Sequence, residues 1–387
     1  MPQLSAVRTR IDSSPSPNYT GQIIDGKYRI DGKLGSGGMG DVYRATRLLI
    51  GDAVAVKILH AHLARDPQAA ERFRREAVMA TKLRHRNVVG IYDVGMSSTH
   101  GVPYILMELA EGYTLRQLIQ QHRILPLDFA VTVTTQVCAA LDEAHNLGII
   151  HRDIKPENIV AHQTANGWHV KILDFGISKL YDQADIGLTQ DGNAMGTPQY
   201  MSPEQCLGEP LDARSDIYSV GIMLYEMLCG TVPFKAAAAS AVAVYQVQTA
   251  PLPPSSHYSA IHNDVEKVVM RALGKPRDGR QQKASQLAQE LIAAATTAYK
   301  SGFTAIAAEP VAAPDASPEF QADALEQDDS STSQPIDEKV SHLGEPTVAY
   351  PARDEIEVPH ATEKKDDAEA TLILPPPAPH SPFAVED

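Results

Sequence analysis

The sequence predicts an α+β fold in two unequal parts followed by a tail, on three observations. Short runs of β-branched and aromatic residues, punctuated by glycines, fill the region before residue 110. Apolar residues at helical spacing dominate from about residue 114 to residue 299. Beyond residue 300 the periodicity stops, and that stretch holds 12 of the 27 prolines and 19 acidic against 4 basic residues. A chain of 387 residues thus has length for a sizeable two-part core with a segment left over.

Residues 1–20, with Ser13-Ser14-Pro15-Ser16-Pro17, read as a loose arm. Three antiparallel strands follow, over residues 28–34, 41–45 and 53–59, with the glycine hairpin Gly35-Ser36-Gly37-Gly38-Met39-Gly40 between the first two. The spacing Gly35-x-Gly37-x-x-Gly40 also occurs in dinucleotide-binding folds, but there the glycines open a helix, whereas here Asp41-Val42-Tyr43 continues as strand. Bare glycine backbone can approach a triphosphate closely and turn its amides toward it. Lys57 stands alone in the apolar run Ala53-Val54-Ala55-Val56-Lys57-Ile58-Leu59. Asp66-Pro67 caps a helix whose apolar stripe is Ala70, Phe73, Ala77 and Leu83, with Glu76 on its flank. Residues 87–94 and 103–108 read as two further strands, the second ending in the linker Glu108-Leu109-Ala110-Glu111-Gly112.

A long helix is expected over residues 126–147, with Phe129, Val133, Val137, Leu141 and Ala144 inward. A second, over residues 212–228, is almost wholly apolar after Asp216, as a helix at the centre of a core must be. Burying Asp216 requires partners for its charge.

Two short segments carry the chemistry. His151-Arg152-Asp153-Ile154-Lys155-Pro156-Glu157-Asn158 gathers a base, two cations and an amide, and Asp174-Phe175-Gly176 begins sixteen residues after Asn158. They resemble the catalytic and metal-binding loops of protein kinases. With the glycine loop and Lys57, the chain resembles a bacterial serine/threonine protein kinase of the eukaryotic type over about 270 residues. The resemblance implies a bilobal protein-kinase fold at residues 21–299, with a small mainly β lobe at about 21–108 and a larger mainly helical lobe at about 112–299. It implies transfer of the γ-phosphate of ATP to serine or threonine hydroxyls of proteins, with Mg²⁺, or Mn²⁺ in its stead. Asp153 would orient the acceptor hydroxyl and take its proton, Lys155 would stabilise the γ-phosphate, and Asn158 and Asp174 would hold the metal. The nucleotide would rest against Leu34, Gly35, Ser36, Gly37, Gly38, Met39, Gly40, Val42, Ala55, Met107, Glu108 and Ala110, with Lys57 held on its phosphates by Glu76.

The same resemblance assigns an activation segment from Asp174 to Pro203-Glu204, with Arg280 pairing Glu204 and Asp216 accepting hydrogen bonds from the catalytic-loop backbone. Arg152 would read a phosphorylated threonine there, Thr189 by expectation, while Thr197 would donate to Asp153. Lys155 and the run Gly196-Thr197-Pro198-Gln199-Tyr200-Met201-Ser202-Pro203-Glu204 resemble serine/threonine rather than tyrosine kinases. Ser202 replaces the usual alanine, with no consequence expected. Relatives can activate in trans through transient small-lobe dimers.

Residues 300–387 read as a disordered acidic tail. Thr371, and less clearly Thr347, resemble autophosphorylation sites that recruit forkhead-associated domains. Without that tail the charge is nearly balanced, 29 acidic against 30 basic residues, so no basic face predicts nucleic-acid or anionic-membrane binding. Cys138, Cys206 and Cys229 lack metal-ligand spacing and read as buried reduced thiols. No apolar run reaches membrane-spanning length and no signal-peptide core opens the chain, so a cytoplasmic protein is expected. The alternatives are a kinase-like scaffold, expected to lack Lys57, Asp153 or Asp174, and a small-molecule kinase, expected to lack the Pro203-Glu204 end and Arg280.

Overall fold

The computed structural model describes residues 18–175 and 198–302, the side chains of residues 72, 76 and 79 excepted. Its first part is a six-stranded antiparallel sheet. The strands are β1 (Ile23–Ile24), β2 (Tyr28–Ser36), β3 (Gly40–Arg47), β4 (Ala53–Leu59), β5 (Ile91–Met96) and β6 (Pro103–Glu108). They lie in the order β1-β2-β3-β4-β6-β5.

The alternation within β4 explains the layer. Val54, Val56 and Ile58 join Tyr19, Ile30 and Tyr43 in one apolar cluster. Ala55 and Leu59 face the other way, onto Phe73 and Ala77. Lys57 shares that second face by strand alternation. Helix α1 (Ala61–Ala64) leads into α2 (Pro67–Ala80), which Asp66 caps by accepting the Gln68 amide at 2.9 Å. The stripe α2 buries is Ala69, Phe73, Ala77 and Ala80, one residue out of step with the expected Ala70.

Two boundaries differ from expectation. Tyr19 is buried, edge-on to Tyr43 at 5.8 Å, so the packing of this lobe includes a residue of the expected arm. Residues 87–89 do not join β5, because their hydrogen bonds run to the larger lobe. The Ile172 amide donates to the Asn87 carbonyl at 2.9 Å, and the Val89 amide to the Ile172 carbonyl at 3.0 Å. The Asn87 amide group donates to the Val170 carbonyl and to Gln136, both at 2.7 Å.

The larger lobe begins with β7 (Tyr113–Thr114) and α3 (Leu115–His122), opened by a reciprocal Thr114/Gln117 cap. Then come α4 (Leu127–Asn146), β8 (Ile159–Thr164), β9 (Gly167–Ile172), α5 (Pro203–Cys206), α6 (Ala213–Cys229), α7 (Ala239–Gln248), α8 (Asn263–Ala272) and α9 (Ala284–Lys300). The small sheet β7-β8-β9 was not expected. Gly112, at the junction of the lobes, has φ 118°, and a Cβ there would lie 2.3 Å from the Ala161 carbonyl oxygen, so only glycine fits. Every residue of α6 from Ser215 to Leu228 is buried, and left-handed Gly230 ends the helix. Of the three thiols only Cys138 is fully buried; Cys206 and Cys229 are half-buried. Among the described residues no helix is long and apolar enough to cross a membrane.

One buried ion pair closes the large lobe. Arg280 is fully enclosed and grips Glu204 with two hydrogen bonds of 2.7 and 2.9 Å. Its remaining donors engage the carbonyls of Gly274, Arg214 and Lys275, and Ser215 donates to Glu204. Burial pushes the Glu204 carboxyl up, but the Arg280 bonds and charge outweigh it and hold the group below its ordinary range. Removing one partner leaves an uncompensated buried charge, so Arg280→Ala should lower the unfolding free energy by about 3–5 kcal/mol, read as a fall in the denaturation midpoint. Because the folded-state pKa is depressed, the contribution is complete above the unfolded glutamate value of about 4.3 and fades as pH falls through the folded value. Glu204→Gln should therefore flatten the acid limb of the stability profile.

Candidate active site

Asp216, on α6, builds the site from beneath. Its carboxylate accepts the backbone amides of His151 and Arg152, each at 2.8 Å, and pairs with His145 Nε2 at 2.8 Å. Burial pushes its pKa up, but the bond and charge of His145, with the His151 backbone amide, hold it below the usual carboxylate range. The price of such burial is thus met by three partners. Arg152 passes through the left-handed region, φ 68°, and Gln205 donates to its carbonyl at 2.7 Å. Ser202, far from idle, caps α5 and fixes that same Gln205.

His151 joins the two chemical segments. Its Nε2 donates to the Leu173 carbonyl at 3.0 Å, while Nδ1 accepts the Asp153 amide at 3.2 Å. One ring nitrogen donates and the other accepts, so the imidazole is neutral, and burial lowers its pKa to the same end. The Leu173 amide donates to the Asn158 carbonyl at 2.8 Å, which sets Asp174 beside Asn158.

Around that latch the polar side chains converge. Asn158 donates through Nδ2 to the Asp153 carbonyl at 2.8 Å and to Asp153 Oδ2 at 3.0 Å. Lys155 Nζ lies 3.0 Å from the same oxygen. Lys57, nearly buried, pairs with Asp174 at 2.9 Å. With Nδ2 turned to Asp153, Asn158 has its amide oxygen to present, and Asp174 has a carboxylate. These hard oxygen donors fit Mg²⁺ or Mn²⁺.

An apolar wall completes the site. Leu34, Met39, Val42, Ala55, Met107 and Ala110 meet in one cluster with Leu173. A Cβ on Gly35 or Gly38 would touch nothing within 4 Å, whereas on Gly40 it would lie 2.1 Å from the Ile58 carbonyl oxygen. Gly40 is thus required by packing on β4. The others, with Ser36 and Gly37, leave a bare loop whose base sets Val42 opposite Lys57. The Glu108 carboxylate accepts Lys171 Nζ and the Gly90 amide at 2.8 and 3.2 Å, and its own amide donates to the Gly90 carbonyl at 2.8 Å. Glu76 lies on α2 with its side chain outside the described part; Gly176, Thr189, Thr197, Thr347 and Thr371 lie outside the described residues. Sequence reasoning missed His145, Leu173, Gln205 and Lys171, each of which meets its partner only through the folded chain.

A family model described as "Protein kinase domain" matches residues 28–298. A probable serine/threonine-protein kinase of Corynebacterium efficiens is 42% identical over 275 residues, covering 70% of this chain and 41% of that protein. Serine/threonine-protein kinase PknB of Mycobacterium tuberculosis is 40% identical over 271 residues, covering 70% and 43%. The chain thus spans about two fifths of the length of these relatives. Among solved structures, the PknI kinase domain of Mycobacterium tuberculosis matches with a TM-score of 0.55 at 24% identity, over 71% of this chain and 98% of that one. That likeness extends to the fold.

Lys57→Met keeps the length of the buried stem and removes its charge. Nucleotide affinity should fall by about 10- to 100-fold, the worth of one charge-assisted contact, in a fluorescent-nucleotide titration.

Proposed function

This chain belongs to the protein kinase domain family, and from that premise we propose that it transfers the γ-phosphate of ATP to serine or threonine hydroxyls of proteins. The observation that carries the reading is the latch between residues 151–158 and Leu173, with Asp153, Lys155, Asn158 and the Lys57–Asp174 pair around it. Phosphoryl transfer asks a protein for alignment and charge more than for covalent chemistry. Asp153 orients the acceptor hydroxyl and accepts its proton, while Lys155 puts a cation where the γ-phosphate would arrive. Lys57 and the bare loop hold the other phosphates, and the wall from Leu34 to Leu173 takes the base. Asn158 and Asp174 hold a divalent cation, which when bound neutralises phosphate charge. The relatives named serine/threonine-protein kinases support hydroxyl acceptors of that class, as does Lys155. With Mg²⁺-ATP and a basic protein substrate, Asp153→Asn should lose about 10²- to 10⁴-fold in kcat while still binding nucleotide. Full activity in that variant would overturn the reading.

Activation fits the same reading. Arg152 has both backbone groups engaged, yet its buried Nε has no partner among the described residues. A phosphothreonine is a fitting partner for such a donor, and Thr189 is the residue proposed to carry it, with Thr197 donating to Asp153. The turn between β3 and β4 bares Leu49 and Ile50, 97% and 64% exposed, which supports a transient dimer acting in trans. Thr371 and Thr347, once phosphorylated, would recruit forkhead-associated domains. Mass-spectrometric mapping during autophosphorylation should find Thr189 and Thr371 modified, at a rate second order in protein. First-order kinetics would refute the trans step, and unmodified threonines would refute the sites.

A further inference from the structure

One charged cluster beside the catalytic loop has no part in the chemistry above. Arg116, on α3, donates through Nε to Glu157 and through a terminal nitrogen to Glu226, both at 2.7 Å. Its other terminal nitrogen donates to the Tyr200 hydroxyl, which in turn donates to Glu226. The four residues come from four places: α3, the catalytic loop, the stretch before α5, and the buried helix α6.

Location gives the cluster its meaning. Glu157 stands between Lys155 and Asn158, both of which touch Asp153. Tyr200 follows Thr197 by three residues, at the end of the segment that leads from Asp174 to α5. Glu157 and Tyr200 thus border the place where an acceptor hydroxyl would meet Asp153. Two carboxylates in such a place form a slot for a guanidinium or ammonium group. Here the slot is already full. Both Glu226 oxygens and one Glu157 oxygen are engaged, and the remaining Glu157 oxygen is enclosed without a hydrogen-bond partner among the described residues.

We propose that Arg116 is a specificity-determining residue: a resident guanidinium occupying an acidic slot beside the acceptor position, so that acceptor sequences need no basic residue there. This rests on the kinase reading and deepens it by naming the substrate class, threonine or serine in a flank without required positive charge. Filling a subsite from within selects by exclusion.

The test uses the full chain and a threonine peptide with alanine flanks, in which one arginine is moved through the three positions on either side. Relative kcat/KM is measured with Mg²⁺-ATP. The native protein should vary less than about threefold across the set, and Arg116→Ala should gain about tenfold or more at one position, a difference worth one well-paired charge. Arg116→Lys should restore the flat profile, and adding Glu157→Gln to Arg116→Ala should abolish the gain. A flat profile in an active Arg116→Ala protein, or a native preference already at that position, would overturn the proposal. If Arg116→Ala does not fold, Glu157→Gln alone decides: with Arg116 in excess, an aspartate at one flanking position should improve kcat/KM about threefold or more, and no change would refute the idea. Absence of phosphate transfer to every peptide would instead refute the kinase reading.

Discussion

The acceptance of two consecutive backbone amides by the Asp216 carboxylate is the interaction on which the site depends. A charge at full burial is tolerable only with several partners, and the partners here are the catalytic loop itself. The loop and the helix therefore stabilise each other. α6 needs the amides to neutralise its acid, and the loop needs the acid to hold Arg152 at φ 68°. From that fixed point His151 reaches Leu173, and Leu173 reaches Asn158. Two segments distant in sequence thus meet around the Asp153 carboxylate.

Much of this was legible in the sequence because the chemistry imposes short, ordered motifs. Lys57 in an apolar strand, Asp153 and Asn158 five residues apart, and the run of α6 each constrain the chain locally. Strands β2, β3, β4 and β6 and helix α4 were legible from local pattern, and α2 from its cap. The unread parts are those decided by distant partners. Residues 87–89 have strand composition but give their hydrogen bonds to β9. The pairing of Lys57 with Asp174 likewise joins residues distant in sequence. Arg116 carries no signal in the sequence, and only the fold sets two glutamates and a tyrosine around it. Ser202 seemed a neutral replacement, but its hydroxyl is bonded into the support of Arg152.

The two arginine clusters of the larger lobe solve the same electrostatic problem in different ways. Arg280 is enclosed and satisfied on every donor, so its role ends at cohesion. Arg116 is about a quarter exposed and stands beside the catalytic loop, on Glu157. The first fixes Glu204 at the start of α5; the second joins α3 to the catalytic loop, Tyr200 and α6.

The grafting of residues 87–89 onto β9 also bears on mechanics. The lobes are joined here as well as through the linker after Glu108, and this contact is stitched by backbone bonds on both sides of Ile172. Low-cost domain rotations preserve packed hydrogen bonds and concentrate torsion in a few unpaired residues. A rotation that kept the bonds to Ile172 would turn about residues 87–89 and place its torsion in the linker after Glu108.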